Sequence, residues 1–134
     1  MTESSEDSGC YLLVIRLDKS CSIKVGALGL LNFEEGYYIY VGRAKRHLFA
    51  RISRHFSKKK RIFWHIDYLI SHPCAKPCLL LPFFGAGQSE CALSHRVLRM
   101  QNAVPIKGFG SSDCQHACKS HLYRVEDHST LHDA

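Results

Sequence analysis

Nowhere does this sequence stay apolar for long enough to cross a bilayer as a helix: its most apolar stretch, residues 78–84, has the length of a strand. Nor does a leader with a basic start and an apolar core open it. Residues 1–8 are polar and acidic instead, with Glu3, Glu6 and Asp7, and are expected to form a disordered acidic tail. There is no internal repeat, so stacked-repeat architectures are excluded. The sharpest deficit is local. Between Arg43 and Arg61 the chain has no Asp or Glu, while nine of its eighteen Lys and Arg residues fall within that segment.

What is present fits one ordinary globular domain of 134 residues, with 46% hydrophobic and 10% aromatic content. A formal charge of +6 and a pI near 9.0 point to a polyanionic partner, of which nucleic acid is the commonest. Clustering of that charge into one segment is the stronger signal. Seven cysteines, an odd count without a leader, suit a reducing compartment. The expected location is cytoplasmic or nucleoid-associated, or nuclear in a eukaryotic cell, and not secreted.

The run from Gly36 through Tyr37, Tyr38, Ile39, Tyr40 and Val41 to Gly42 delivers a tyrosine-rich strand into the cationic block. Phenol hydroxyls beside fixed positive charge suit phosphodiester chemistry: one group handles a proton while others stabilise negative charge on phosphorus.

Residues 10–17 are nearly all apolar, as in a buried central strand. Further strands are expected at 22–25, at 37–41 with Gly42 ending it, at 76–84 and at 122–125. Gly26 and Gly29 mark a loop between the second and third. From Arg46 the period becomes helical: Leu48, Ile52 and Phe56 form one stripe, with Arg51 and His55 on the neighbouring face and Arg54 and Lys58 on the far side. Two more helices are expected at 62–71 and 89–100, the latter with Ser89 as N-cap and Cys91 and Leu98 facing inward. The predicted fold is α+β, a small, mostly antiparallel central sheet flanked by about three helices. The domain spans residues 9–125, and residues 126–134 form a flexible tail.

Elimination narrows the carboxylates. Most fall in tails or turns, which leaves Asp67, Glu90 and Asp113. Glu90 opens a helix, where it can hold one hard cation such as Mg²⁺ with water and phosphate oxygens, or simply satisfy the helix N-terminus. Tyr11 begins the first strand and Tyr40 ends the third. If those strands pair, both phenols reach one edge of the sheet; otherwise they are half-buried sheet aromatics.

Gly9-Cys10-Tyr11 followed by Tyr40-Val41-Gly42 resembles the paired signatures of the GIY-YIG nuclease superfamily, and the similarity extends from Gly9 to Tyr123. The chain looks closest to a compact branch whose members resemble, or are fused to, endonuclease III-type repair proteins. The run His65-Ile66-Asp67-Tyr68-Leu69 and an ending with Gly108-Phe109-Gly110 and Ser120-His121-Leu122 carry that likeness. The resemblance implies Tyr11 or Tyr40 as general base or water-positioning group, Arg51 neutralising charge on the phosphoryl oxygens, and His55 relaying a proton. It implies Glu90 as ligand of a single Mg²⁺ or Mn²⁺ ion, and Gly42 as a close turn beneath the substrate. The spacing between the two signatures is longer than usual, so an insertion is expected to loop out around residues 26–33. Asn102 is the candidate for the asparagine that relatives place after the metal-binding helix.

The leading expectation is a metal-dependent endonuclease acting on DNA, or on RNA, in repair or processing. Arg43, Lys45, Arg46, Arg54, Lys58, Lys59, Lys60 and Arg61 would grip phosphate. The alternative is a non-catalytic nucleic-acid-binding module with the same fold. His65 and Tyr68, three apart, are secondary candidates beside the pocket. Cys114, Cys118 and His121, with Cys74 and Cys78 as further ligands, raise a structural zinc and a third reading, an interaction domain. The plain alternative treats Cys78 and Cys91 as small core residues.

Overall fold

A computed structural model describes residues 9–44, 50, 53, 65–84, 90–99, 103–106, 109 and 120–125, with the backbone alone at 44, 84, 90 and 91. Its centre is a pair of long antiparallel strands, β1 (Gly9–Leu17) and β4 (Gly36–Ala44), in register from Gly9↔Ala44 to Leu17↔Gly36. The apolar run of β1 has a direct cause. Tyr11, Leu13, Ile15 and Leu17 point into one core layer while Cys10, Leu12 and Val14 point into another, so both faces are buried and no polar alternation survives.

Strand β5 (Ala75–Phe84) pairs antiparallel with the other side of β1. It carries Pro77 and Pro82, which donate no backbone hydrogen bond, and accordingly lies at an edge of the five-stranded sheet. Val14 opposes Leu79 and Ile15 opposes Pro77, so Cys78 is the extra residue of a bulge. It is exposed, which corrects the expectation of a core cysteine there. Beyond β4 come β7 (Leu122–Val125) and β6 (Val104–Pro105), both antiparallel to their neighbours.

The expected loop around residues 26–33 is instead a second small sheet. Strand β2 (Cys21–Lys24) does not return along β1; it pairs with β3 (Leu30–Phe33) across a 3₁₀ turn, Gly26–Leu28. Gly29, at φ 77, makes the reversal that a side chain would resist. Ile23, Val25 and Phe33 lock this hairpin onto the layer that holds Tyr11 and Tyr40. Strand β4 also runs two residues past Gly42, so the glycine lies within the strand and does not end it.

Among the described residues there are two short helices rather than three, α1 (His65–Ile70) and α2 (Glu90–Leu98). The helix expected from Arg46 falls outside the described residues except for Ala50 and Ser53, both helical and exposed. Helix α1 buries Ile66, Leu69 and Ile70 on the hairpin side of the sheet, and α2 buries Leu93 and Val97 on the other. Leu98, expected inward, is 42% exposed. The result is an α+β sandwich: hairpin with α1, antiparallel sheet, then α2. No described helix is long and apolar enough to cross a membrane.

Candidate functional site

Pairing of β1 with β4 decides which tyrosines meet. Tyr11 opposes Gly42 and Leu13 opposes Tyr40, so Tyr11 and Tyr40 are diagonal neighbours on one face. Their ring centroids lie 6.3 Å apart with planes tilted by 55°. The Tyr11 ring lies across the Gly42 backbone. A Cβ built at position 42 would collide with that ring, standing only 2.6 Å from its Cε2. Gly42 therefore makes room for a catalytic candidate; it is not the tight turn that the resemblance implied. Both phenols are buried, more deeply than the half-buried positions of ordinary sheet tyrosines.

Tyr38 shares this face but is committed elsewhere. Its hydroxyl donates to the Glu34 carbonyl at 2.6 Å, and burial pushes its pKa up to about 12. That excludes Tyr38 as a base near neutral pH.

The unforeseen centre of the cluster is Phe109. Its ring stands edge-on to Tyr40 at 6.5 Å, to Phe33 at 6.3 Å and to His65 at 5.5 Å. Backbone bonds pin it, with its amide donating to the Ile106 carbonyl and its carbonyl accepting from the His121 amide. The flanking glycines, Gly108 and Gly110, were the sequence signal for an aromatic inserted from a loop. Through Phe109, the secondary candidate His65 joins the tyrosine face. Tyr68, on the same helix, lies beside Gly26, whose built Cβ would be 3.4 Å from its hydroxyl. Asp67, between them, is fully buried.

His121 is buried and its backbone extends the sheet: its carbonyl accepts from Val41 and its amide donates to Phe109. Ser120 clips this turn, its hydroxyl donating to the Leu122 carbonyl at 2.7 Å and accepting from the Leu122 amide at 2.9 Å. The Ser120-His121-Leu122 run thus holds β7 against β4 beside Tyr40.

Arg51, His55, Lys45, Arg46, Arg54, Lys58, Lys59, Lys60, Arg61, Asn102, Cys114 and Cys118 lie outside the described residues. Glu90 is described by its backbone alone, as the first residue of α2. That helix packs on Cys10, Leu12, Ile39 and Val41, the face opposite to Tyr11 and Tyr40. Arg43, which pairs with Cys10, stands on the same side as α2. Among the described residues no group of three or more His, Cys, Asp or Glu side chains could hold a metal ion.

No curated protein and no solved structure matches this chain. A family model does match, over residues 10–134, which takes in both central strands, both helices and the tyrosine face. The chain belongs to DUF123, a domain of unknown function.

Proposed function

We propose that this protein is a GIY-YIG-like endonuclease that hydrolyses nucleic-acid phosphodiester bonds, DNA in the first instance. The observation that carries this reading is the diagonal contact of Tyr11 and Tyr40, with His65 joined to them through Phe109. Two phenols and an imidazole on one side of a rigid sheet suit proton handling at a phosphate. An attacking water gives its proton to one of these groups, its oxygen bonds to phosphorus, and the P–O bond to the leaving oxygen breaks. Arg51 would neutralise the phosphoryl oxygens and His55 would return a proton to the leaving oxygen. Glu90 would hold Mg²⁺ or Mn²⁺, which when bound polarises the phosphate. The cations from Arg43 to Arg61 supply non-specific grip on the backbone.

The test is nicking of supercoiled plasmid and of branched DNA with Mg²⁺ or Mn²⁺, comparing wild type with Glu90→Ala and with added chelator. Loss of cleavage in both, with binding retained, supports the reading. Cleavage that survives both removes the metal from it.

One observation favours a second reading, a non-catalytic nucleic-acid-binding module. Tyr11 and Tyr40 are buried in the free protein, and the helix bearing Glu90 packs on the opposite face. Tight DNA binding with no cleavage across a panel of structured substrates would select it.

A further inference from the structure

The described cysteines differ in how they are placed. Cys10 is fully buried, and Cys78 is exposed on the β5 bulge, its Sγ donating to the Val14 carbonyl at 3.5 Å. Cys21 and Cys74 are both half-buried at the rim of one core layer, packed against the cluster that holds Leu17, Ile23, Ile70 and Ala75. A cysteine that only fills space is ordinarily sealed, as Cys10 is.

The fold brings these two together from distant parts of the chain. Cys74 ends the turn between α1 and β5, where its amide donates to His72 Nδ1 at 3.1 Å. Its carbonyl accepts from the Asp18 amide at 2.9 Å, and the next residue, Ala75, stands opposite Leu17 at the end of β1. Cys21 follows Asp18 closely and opens β2, the strand against which α1 packs. The two thiols also interact electrostatically: the pKa of Cys21 is raised, by burial first and by Cys74 second.

We propose that Cys21 and Cys74 are a disulfide-forming pair, open to a small disulfide such as oxidised glutathione, that fastens the β2–β3 hairpin to the start of β5. One protein thiolate attacks a sulfur of oxidised glutathione, whose S–S bond breaks and releases one glutathione. The second protein thiolate then attacks the sulfur now attached to the protein, the Sγ–Sγ bond forms, and the second glutathione leaves. Two protein thiols are oxidised, one small disulfide is reduced, and the two glutathiones carry off the two protons. Under reducing conditions the pair stays as thiols, and the bond is a transient response to oxidation. The pair is independent of the chemistry proposed for the tyrosine face.

The experiment incubates the full chain, with chelator, over a series of ratios of oxidised to reduced glutathione and then blocks the remaining thiols. Mass spectrometry of a non-reduced digest of wild type is expected to find Cys21 joined to Cys74, with fragmentation separating Cys74 from Cys78. The bond should lower the unfolding equilibrium constant by on the order of 10²-fold, as native cross-links do, and slow hydrogen exchange in β2 and β3. Cys21→Ala and Cys74→Ala should each lose that gain, and Cys78→Ala should keep it. Cys21 and Cys74 each carrying its own glutathione, or either one joined to another cysteine, overturns the proposal. A Cys21–Cys74 bond with no gain in stability or hairpin protection overturns the fastening role. Zinc held by wild type without chelator and lost in Cys74→Ala would assign Cys74 to a metal and overturn the pair as well.

Discussion

The ring of Tyr11 fills the space that a side chain at position 42 would need. Because the two residues are cross-strand partners in the centre of the sheet, the identity of one constrains the other.

Gly42→Ala tests this pairing. A strand glycine replaced by alanine ordinarily stabilises by roughly 0.5–1 kcal/mol. Here the new methyl meets an aromatic ring held in a closed core, and overpacking of that kind costs about 1–3 kcal/mol. The sign should therefore be destabilising in chemical denaturation. Combining Gly42→Ala with Tyr11→Ala should cost less than the sum of the two singles, because the ring is gone. Additive costs would show that the contact does not govern position 42.

Removing single hydroxyls separates the tyrosines by role. Tyr40→Phe and Tyr11→Phe should each lower cleavage by about 10²-fold or more if their phenols handle protons or position water, while stability changes by about 1 kcal/mol, one hydrogen bond. Tyr38→Phe should leave cleavage intact, because that hydroxyl is spent on the Glu34 carbonyl. Equal activity in all three variants would remove the phenols from the chemistry.

Tyr38 also makes a pH prediction. Burial raises its pKa from an ordinary 10 to about 12. The folded protein then holds this proton more tightly than the unfolded chain, so stability is undiminished below pH 10 and declines as pH rises from 10 toward 12. Denaturation midpoints measured over that range should fall for wild type and fall less for Tyr38→Phe. Parallel curves would mean that other groups account for the alkaline loss.

Ser94 is buried on α2, and its hydroxyl has no hydrogen-bond partner among the described residues. Desolvating an unpaired hydroxyl is unfavourable, and alanine is the better helix former. Ser94→Ala should raise stability by about 1 kcal/mol. A lower melting temperature would reveal a partner for the hydroxyl.

Much of the fold was legible along the chain. The nearly all-apolar run at residues 10–17 marked a strand covered on both faces, and the run Leu-Tyr-Arg-Val at 122–125 marked β7 at its observed bounds. Strand β3 was not legible. Its two leucines and Asn32 show little alternation, and it exists because β2 offers a partner across the Gly29 reversal. Strand β6 is two residues long and owes its place to β7. Within the site, a meeting of Tyr11 and Tyr40 was legible only on condition that their strands pair, and Phe109 was not legible. A loop aromatic declares its neighbours only after the loop has folded onto a core.

Residue order alone determined the long apolar strands and the acid-free cationic block. Those properties depend on local periodicity and on charge, which are written into successive residues. Which side of the sheet each helix covers was decided only in three dimensions. An alternating strand has two faces and its sequence says nothing about the element that will bury each. That choice gave Tyr11 and Tyr40 to the hairpin and α1, left α2 on the reverse, and turned Gly42 from an expected bend into the floor beneath an aromatic ring.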